Sequence, residues 1–251
     1  MISYNELAWT EEFLSDPASY EQEVSGYVSL LRHNADIPVN TLLHLGCGAG
    51  RHDRWFREHF TVTGVDISEA MLTLAKKTNP EVEYHRGDMR DFSIGRQFDA
   101  VIIPDSIDYM ATANDLRQAI RTAAVHLKPG GLLLITGKTR ETFRNNSFAY
   151  TGEKGDTHLT VLESNYINPY RPDTYDITLV YLIRVKGELT SYVENTTAGI
   201  FPLKTWKNLF EEAGLSLETS MLDGLYDNFI LGDGEYRLTL FLGKKSLSKD
   251  K

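Results

Sequence analysis

The chain has 251 residues, 41% hydrophobic and 24% charged, with a formal net charge of −9. That suits one large α/β domain, or one domain with an insertion, and disfavours nucleic acid as partner, since neutralising phosphates calls for a basic face. The single cysteine (Cys47) excludes an intrachain disulfide, the N-terminus lacks a secretory pattern, and no apolar run approaches the roughly 20 residues of a membrane span, so the expectation is a cytoplasmic protein with no membrane partner.

Asp16-Pro17 reads as a helix start, the acid as N-cap and the proline in the first turn, and Val24, Tyr27, Val28, Leu30 and Leu31 carry a helical stripe to about Asn34. Thr41–Leu45 is a short buried strand, followed by a glycine loop and a helix to about His59. Thr61–Val65 is the second strand, and Ser68 caps a helix through Lys77 with Met71, Leu72 and Ala75 on its apolar side. Val82–His85 and Phe98–Ile103 are the third and fourth strands. Thr112 caps a helix to about Leu127, broken by K-P-G-G, and Leu132–Thr136 is the fifth strand. Strands alternating with helices at this spacing imply βαβ units and a mostly parallel sheet.

After Thr136 the rhythm changes. Residues 139–156 are polar and contain glycine; about 157–167, 174–186 and 189–199 then alternate with period two, as an antiparallel sheet does. Pro202 opens a helix bearing Trp206, Leu209 and Phe210, ended by Gly214, and strands near Leu215–Met221 and Tyr236–Leu242 close the fold before a frayed, solvated tail. The expectation is a Rossmann-like, doubly wound, mostly parallel seven-stranded α/β sheet made by residues 1–137 and 202–251, with 138–201 inserted after strand five as an antiparallel β subdomain that caps a site or forms a dimer.

The first strand ends in L-L-H-L-G-C-G-A-G (42–50). Glycine reaches positive φ at little cost and leaves no Cβ between backbone and ligand, and a helix N-terminus adds unpaired N–H groups. Asp66 ends the second strand 20 residues after Gly46, where a carboxylate can accept both hydroxyls of a ribose. A dinucleotide fingerprint would have a third glycine where this chain has Arg51, which counts against an NAD-dependent oxidoreductase.

The set G-x-G-x-G, an acid ending the second strand, G-D-M (87–89), L-K-P-G-G (127–131) and W-x-x-L-F-E-E-A-G-L (206–215) resembles class I S-adenosylmethionine-dependent methyltransferases of the small-molecule type, similar to those that methylate amino sugars. The resemblance implies S-adenosyl-L-methionine as cofactor. Gly46, Gly48 and Gly50 would lie against its methionine part, Asp66 would hold the ribose and Ile67 would pack on adenine. Asp88 and Met89 would approach the adenine edge, and Pro104 and Asp105 the sulfonium. Cys47, inside the loop, and Met71 join these as expected cofactor contacts. One departure matters: the family carries an acid two residues before the first glycine, where it helps hold the cofactor's ammonium, and this chain has His44.

The stretch P-D-S-I-D-Y-M (104–110) follows the fourth strand at the carboxyl edge of the sheet, so Asp105, Asp108 and Tyr109 are candidates for orienting the acceptor. Tyr4, in Y-N-E-L-A-W, resembles an element that folds over the cofactor in small-molecule members, with Trp9 and Tyr20 as further lid residues. The inserted sheet offers His158, Glu163, Tyr166 and Arg184, of a parity that the sequence leaves open. The expected reaction is methyl transfer by in-line displacement to an amine or hydroxyl of a small molecule, by a monomer or homodimer. No metal is called for. A non-catalytic cofactor-binding module is the other alternative.

Overall fold

The structure is a computed structural model that describes residues 1–14, 17–222, 227–232 and 234–247. Asp16, the expected N-cap, and the last residues of the tail lie outside the described residues.

The strands are, in chain order, β1 (Thr41–Leu45), β2 (Thr61–Asp66), β3 (Glu83–Arg86), β4 (Phe98–Pro104), β5 (Leu127–Gly137), β6 (Asn146–Lys154), β7 (Thr157–Tyr166), β8 (Thr174–Val185), β9 (Glu188–Gly199), β10 (Leu215–Leu222) and β11 (Leu238–Lys245). Seven of them form one sheet in the order β10-β11-β5-β4-β1-β2-β3, parallel except for β11, which runs antiparallel to both its neighbours. β6 to β9 form a separate antiparallel meander.

Alternation along the strands explains the two cores. Leu43 and Leu45 point to the side where α5 (Ala113–Val125) and α6 (Leu203–Glu212) supply Leu116, Ile120, Trp206 and Phe210. Leu42 points to the other side, where α2 (Pro17–Asn34) supplies Val24, Tyr27 and Leu31 and α3 (Asp53–Phe56) supplies Phe56. Each such buried side chain contributes about 1.5–3 kcal/mol of transfer free energy. The strand order reverses between β1 and β4. Their carboxyl ends therefore splay the following loops apart, and ligands of open α/β sheets bind in that crevice.

Three elements differ from expectation. The helix after the glycines is short, a single turn of α3 followed by turns through Phe60. K-P-G-G does not break the chain between helix and strand but lies inside β5: pairing shifts from Phe98↔Leu127 to Ala100↔Leu132, and a Cβ at Gly131 would come within 2.6 Å of the Asp99 carbonyl oxygen. The glycine accommodates a bulge. The polar stretch after Thr136 holds a strand, β6, whose backbone pairs with β7 and whose Phe148 is buried, so the inserted sheet has four strands where the pattern showed three. Among the described residues no helix is long and apolar enough to cross a membrane.

Candidate functional site

The loop after β1 is built as its glycines require. Gly46, Gly48 and Gly50 have φ of 75°, 52° and 70°, values that cost a side chain energy. The N–H groups of Gly46 and Cys47 both donate to the Val65 carbonyl, at 2.7 and 3.0 Å, tying the loop to the end of β2. A Cβ at Gly46 would collide with Ser106 and Met89, whereas one at Gly48 would meet no atom within 4 Å. The middle glycine thus faces open space while its neighbours are packed, which leaves room for a ligand against its backbone.

Asp66 forms one wall. Its carboxylate accepts from the Gly48 N–H and from the Ser68 N–H, each at 2.8 Å, and is 9% exposed. Ser68 caps α4 (Glu69–Thr78) by accepting from the Met71 N–H, so the cap of that helix is the serine and the acid is left facing the loop. Ile67 beside it is 59% exposed, an apolar surface at the position expected to meet adenine. Met89 reaches Gly46. Asp88 instead turns to Arg90, whose Nε and Nη2 donate to both its oxygens, which holds the carboxyl below its usual pKa range. Cys47 and Met71 are buried; burial raises the Cys47 thiol pKa well above its ordinary value, so it is a packing group and not a nucleophile.

The other wall follows β4. Pro104 is buried, and Asp105 has φ 53° and ψ −37°, a sparsely populated conformation for a non-glycine residue, costing about 1–3 kcal/mol. Its N–H donates to the Thr136 carbonyl and hydroxyl, which hold it there. Burial pushes its carboxyl up to about 6, with Glu23 and Asp108 adding to the shift and Lys138 opposing it. Asp108 is 6% exposed, paired with the Lys138 ammonium at 2.7 Å and accepting from the Tyr175 hydroxyl at 3.3 Å. Lys138 lies over the rings of Tyr175 and Tyr236, and no local pattern marks this lysine because its partner Asp108 is 30 residues away in the chain.

Tyr109 and Tyr4 meet edge to face with their hydroxyls 2.7 Å apart, joining the N-terminal segment to the loop after β4. Burial raises both phenols, Tyr109 to about 12, so both stay protonated near neutral pH. The N-terminal segment is fixed further by the Ser68 hydroxyl donating to the Tyr4 carbonyl, by Leu7 packed on Leu159, Val161 and Tyr181, and by the Ser3 N–H donating to Glu194. Tyr20 packs edge-on against His52, while Trp9 is 39% exposed on Phe13.

The parity of the inserted sheet is that of Leu159 and Val161, which are buried against the N-terminal segment. Glu163 shares their face and accepts from Tyr150 and Asn165; His158, Tyr166 and Arg184 lie on the opposite face. His44 does not reach the loop surface. It is 1% exposed, with its Nδ1–H donating to Asp53 at 2.7 Å; Asp53 also accepts from Tyr84 at 2.9 Å, and Asn79 links Tyr84 to the Gly50 carbonyl.

A model of a methyltransferase domain matches residues 42–131. The chain is similar to the dTDP-3-amino-3,6-dideoxy-alpha-D-glucopyranose N,N-dimethyltransferase of Streptomyces fradiae, 31% identical over 204 residues, which cover 79% of this chain and 78% of that one. It is also 38% identical over 125 residues to the dTDP-3-amino-3,4,6-trideoxy-alpha-D-glucopyranose N,N-dimethyltransferase of Streptomyces venezuelae, a match spanning 49% of this chain and 52% of the relative. Among solved structures, DesVI of Streptomyces venezuelae superposes with a TM-score of 0.77 and 26% identity over 90% of this chain and 92% of that one.

Proposed function

The chain belongs to the S-adenosylmethionine-dependent methyltransferases, and we propose that it transfers the methyl group to the amine of an amino sugar or a closely similar small molecule. The observation that carries the reading is the cradle: an open middle glycine, with Asp66 on one side, fixed by that glycine's own N–H, and Asp105 and the Tyr4–Tyr109 pair on the other. The amino-sugar names of the relatives support the acceptor class.

S-adenosylmethionine, when bound, supplies an electrophilic methyl group that carries its own activation. What remains for the protein is alignment, exclusion of water and proton handling. Asp66 orients the ribose. Tyr4 and Tyr109, both neutral, hold the acceptor nitrogen by hydrogen bonds with its lone pair left free. Asp105, whose carboxyl burial raises, takes the proton that the amine sheds. Residues 138–201 cover the acceptor, with Glu163 on the covering face. The enzyme acts in the cytoplasm as a monomer or homodimer.

The test is methyl transfer from labelled S-adenosylmethionine to a panel of amino sugars and their hydroxyl counterparts, read by mass spectrometry. The expected result is one or two methyl groups on nitrogen. Transfer to oxygen alone, or binding of S-adenosylhomocysteine without transfer to any acceptor, overturns the amine reading.

A further inference from the structure

The strand acid that would meet the cofactor's ammonium is absent, and His44 in its place is buried and committed to Asp53. The cofactor's amino-acid end therefore needs both its charges met elsewhere. Arg51 directly follows the last loop glycine, and its Nε is buried with no hydrogen-bond partner among the described residues. The N-terminal segment lies against the same turn: Ala8 packs on Ala49 and Met71, and Glu11 follows at the start of α1 (Glu11–Leu14), within electrostatic reach of Arg51. Burial raises the Glu11 carboxyl, and the Arg51 charge draws it back down. Tyr20, packed edge-on against His52, is likewise within electrostatic reach of Glu11, Glu23 and Arg51.

We propose that Arg51 and Glu11 are the two poles of a clamp for the zwitterionic amino-acid end of the cofactor, Arg51 holding its carboxylate and Glu11 its ammonium. The inference rests on the methyltransferase reading and adds to it the residues that replace the missing acid. A guanidinium presents a planar fork of donors that matches a carboxylate, and a carboxylate is a strong charge-assisted acceptor for an ammonium. Because Glu11 belongs to the N-terminal segment, which already lies on the loop, filling the clamp adds a further tie between the two. Lys77 and Lys154, both paired with the adjacent Glu12, hold α1 against α4 and the inserted sheet in the covered position.

Two ligands separate the poles from the rest of the site. S-adenosylhomocysteine carries the amino-acid end; 5′-methylthioadenosine keeps the nucleoside and sulfur but lacks it. Calorimetric affinities for both would be measured on the parent chain, Arg51→Met, Arg51→Lys and Glu11→Gln. Arg51→Met and Glu11→Gln are each expected to weaken S-adenosylhomocysteine about tenfold or more while changing 5′-methylthioadenosine by less than about twofold, with Arg51→Lys recovering part of the loss. Retained affinity for the truncated ligand also shows that the variants are folded. Unchanged S-adenosylhomocysteine affinity in either variant, or equal losses for both ligands, overturns the clamp. A parent chain that binds neither ligand overturns the methyltransferase reading instead.

Discussion

The carboxylate of Asp66 accepts from the main-chain N–H of Gly48 at 2.8 Å, so the acid at the end of β2 and the open glycine after β1 form one unit. On the proposed reading Asp66 acts twice: its remaining lone pairs would meet the ribose, and its bond to Gly48 sets the loop. Asp66→Ala loses one or two charge-assisted bonds to the ligand, each on the order of 1.5–3 kcal/mol, and releases Gly48 as well. Affinity for S-adenosylhomocysteine is expected to fall by about 100-fold or more, with a larger loss than in Asp66→Asn, which can still accept from the glycine. Calorimetry that finds the two variants equal would show that the loop does not depend on the acid.

The Tyr4–Tyr109 pair joins the N-terminal segment to the loop after β4, the side proposed to hold the acceptor. Both phenols are raised by burial, so they stay neutral through the working range and act as hydrogen-bonding groups, not bases. Tyr4→Phe and Tyr109→Phe should lower kcat/KM for the acceptor about tenfold, while calorimetry shows affinity for S-adenosylhomocysteine unchanged. A loss of cofactor affinity in Tyr109→Phe would move that tyrosine from acceptor to cofactor.

The part of this architecture that rests on local pattern was legible in the sequence. The glycines with positive φ, the acid ending β2 and the Ser68 and Thr112 caps are all set by residues within a few positions of one another. What the sequence hid is tertiary pairing. Asp108 sits in a stretch that reads as an active-site loop, but its partners, Lys138 and Tyr175, come from β5's exit and from β8. β6 escaped because its inward face mixes Asn146, Phe148, Tyr150 and Gly152, which carry no clean alternation of polarity. Glu163 could not be assigned a face, since Leu159, Val161 and Leu162 put apolar residues on both.

His44 and Asp53 form a buried pair that reaches the loop through Tyr84 and Asn79. Removing one partner leaves an uncompensated buried group, which costs about 3–5 kcal/mol. Asp53→Ala is expected to lower stability by that amount in denaturant titrations. Supplying excess S-adenosylhomocysteine should recover part of the loss, because a ligand bound only by the folded state stabilises it by mass action. A stability loss below about 1 kcal/mol would mean that the pair is screened by water.

Asp105 gives the site a pH signature with a definite sign. Burial, with Glu23 and Asp108 near it, raises its folded-state pKa to about 6, against about 3.9 in an unfolded chain. The folded protein then holds a proton that the unfolded chain has already lost. The stability this contributes is complete below about pH 4 and is lost as pH rises through about 6. Asp105→Asn carries no such charge, so it should be more stable than the parent at pH 8, by roughly 1–3 kcal/mol, with the gap closing as pH falls toward 4. Activity runs the other way. In the parent, kcat/KM should rise through pH 6 as Asp105 ionises to accept the amine's proton, while Asp105→Asn is expected to be slower and to lack that inflection. Thermal unfolding at pH 5 and 8, paired with rate profiles over the same range, checks both. A variant that is no more stable at pH 8, or that keeps the inflection, would assign the titration to another group.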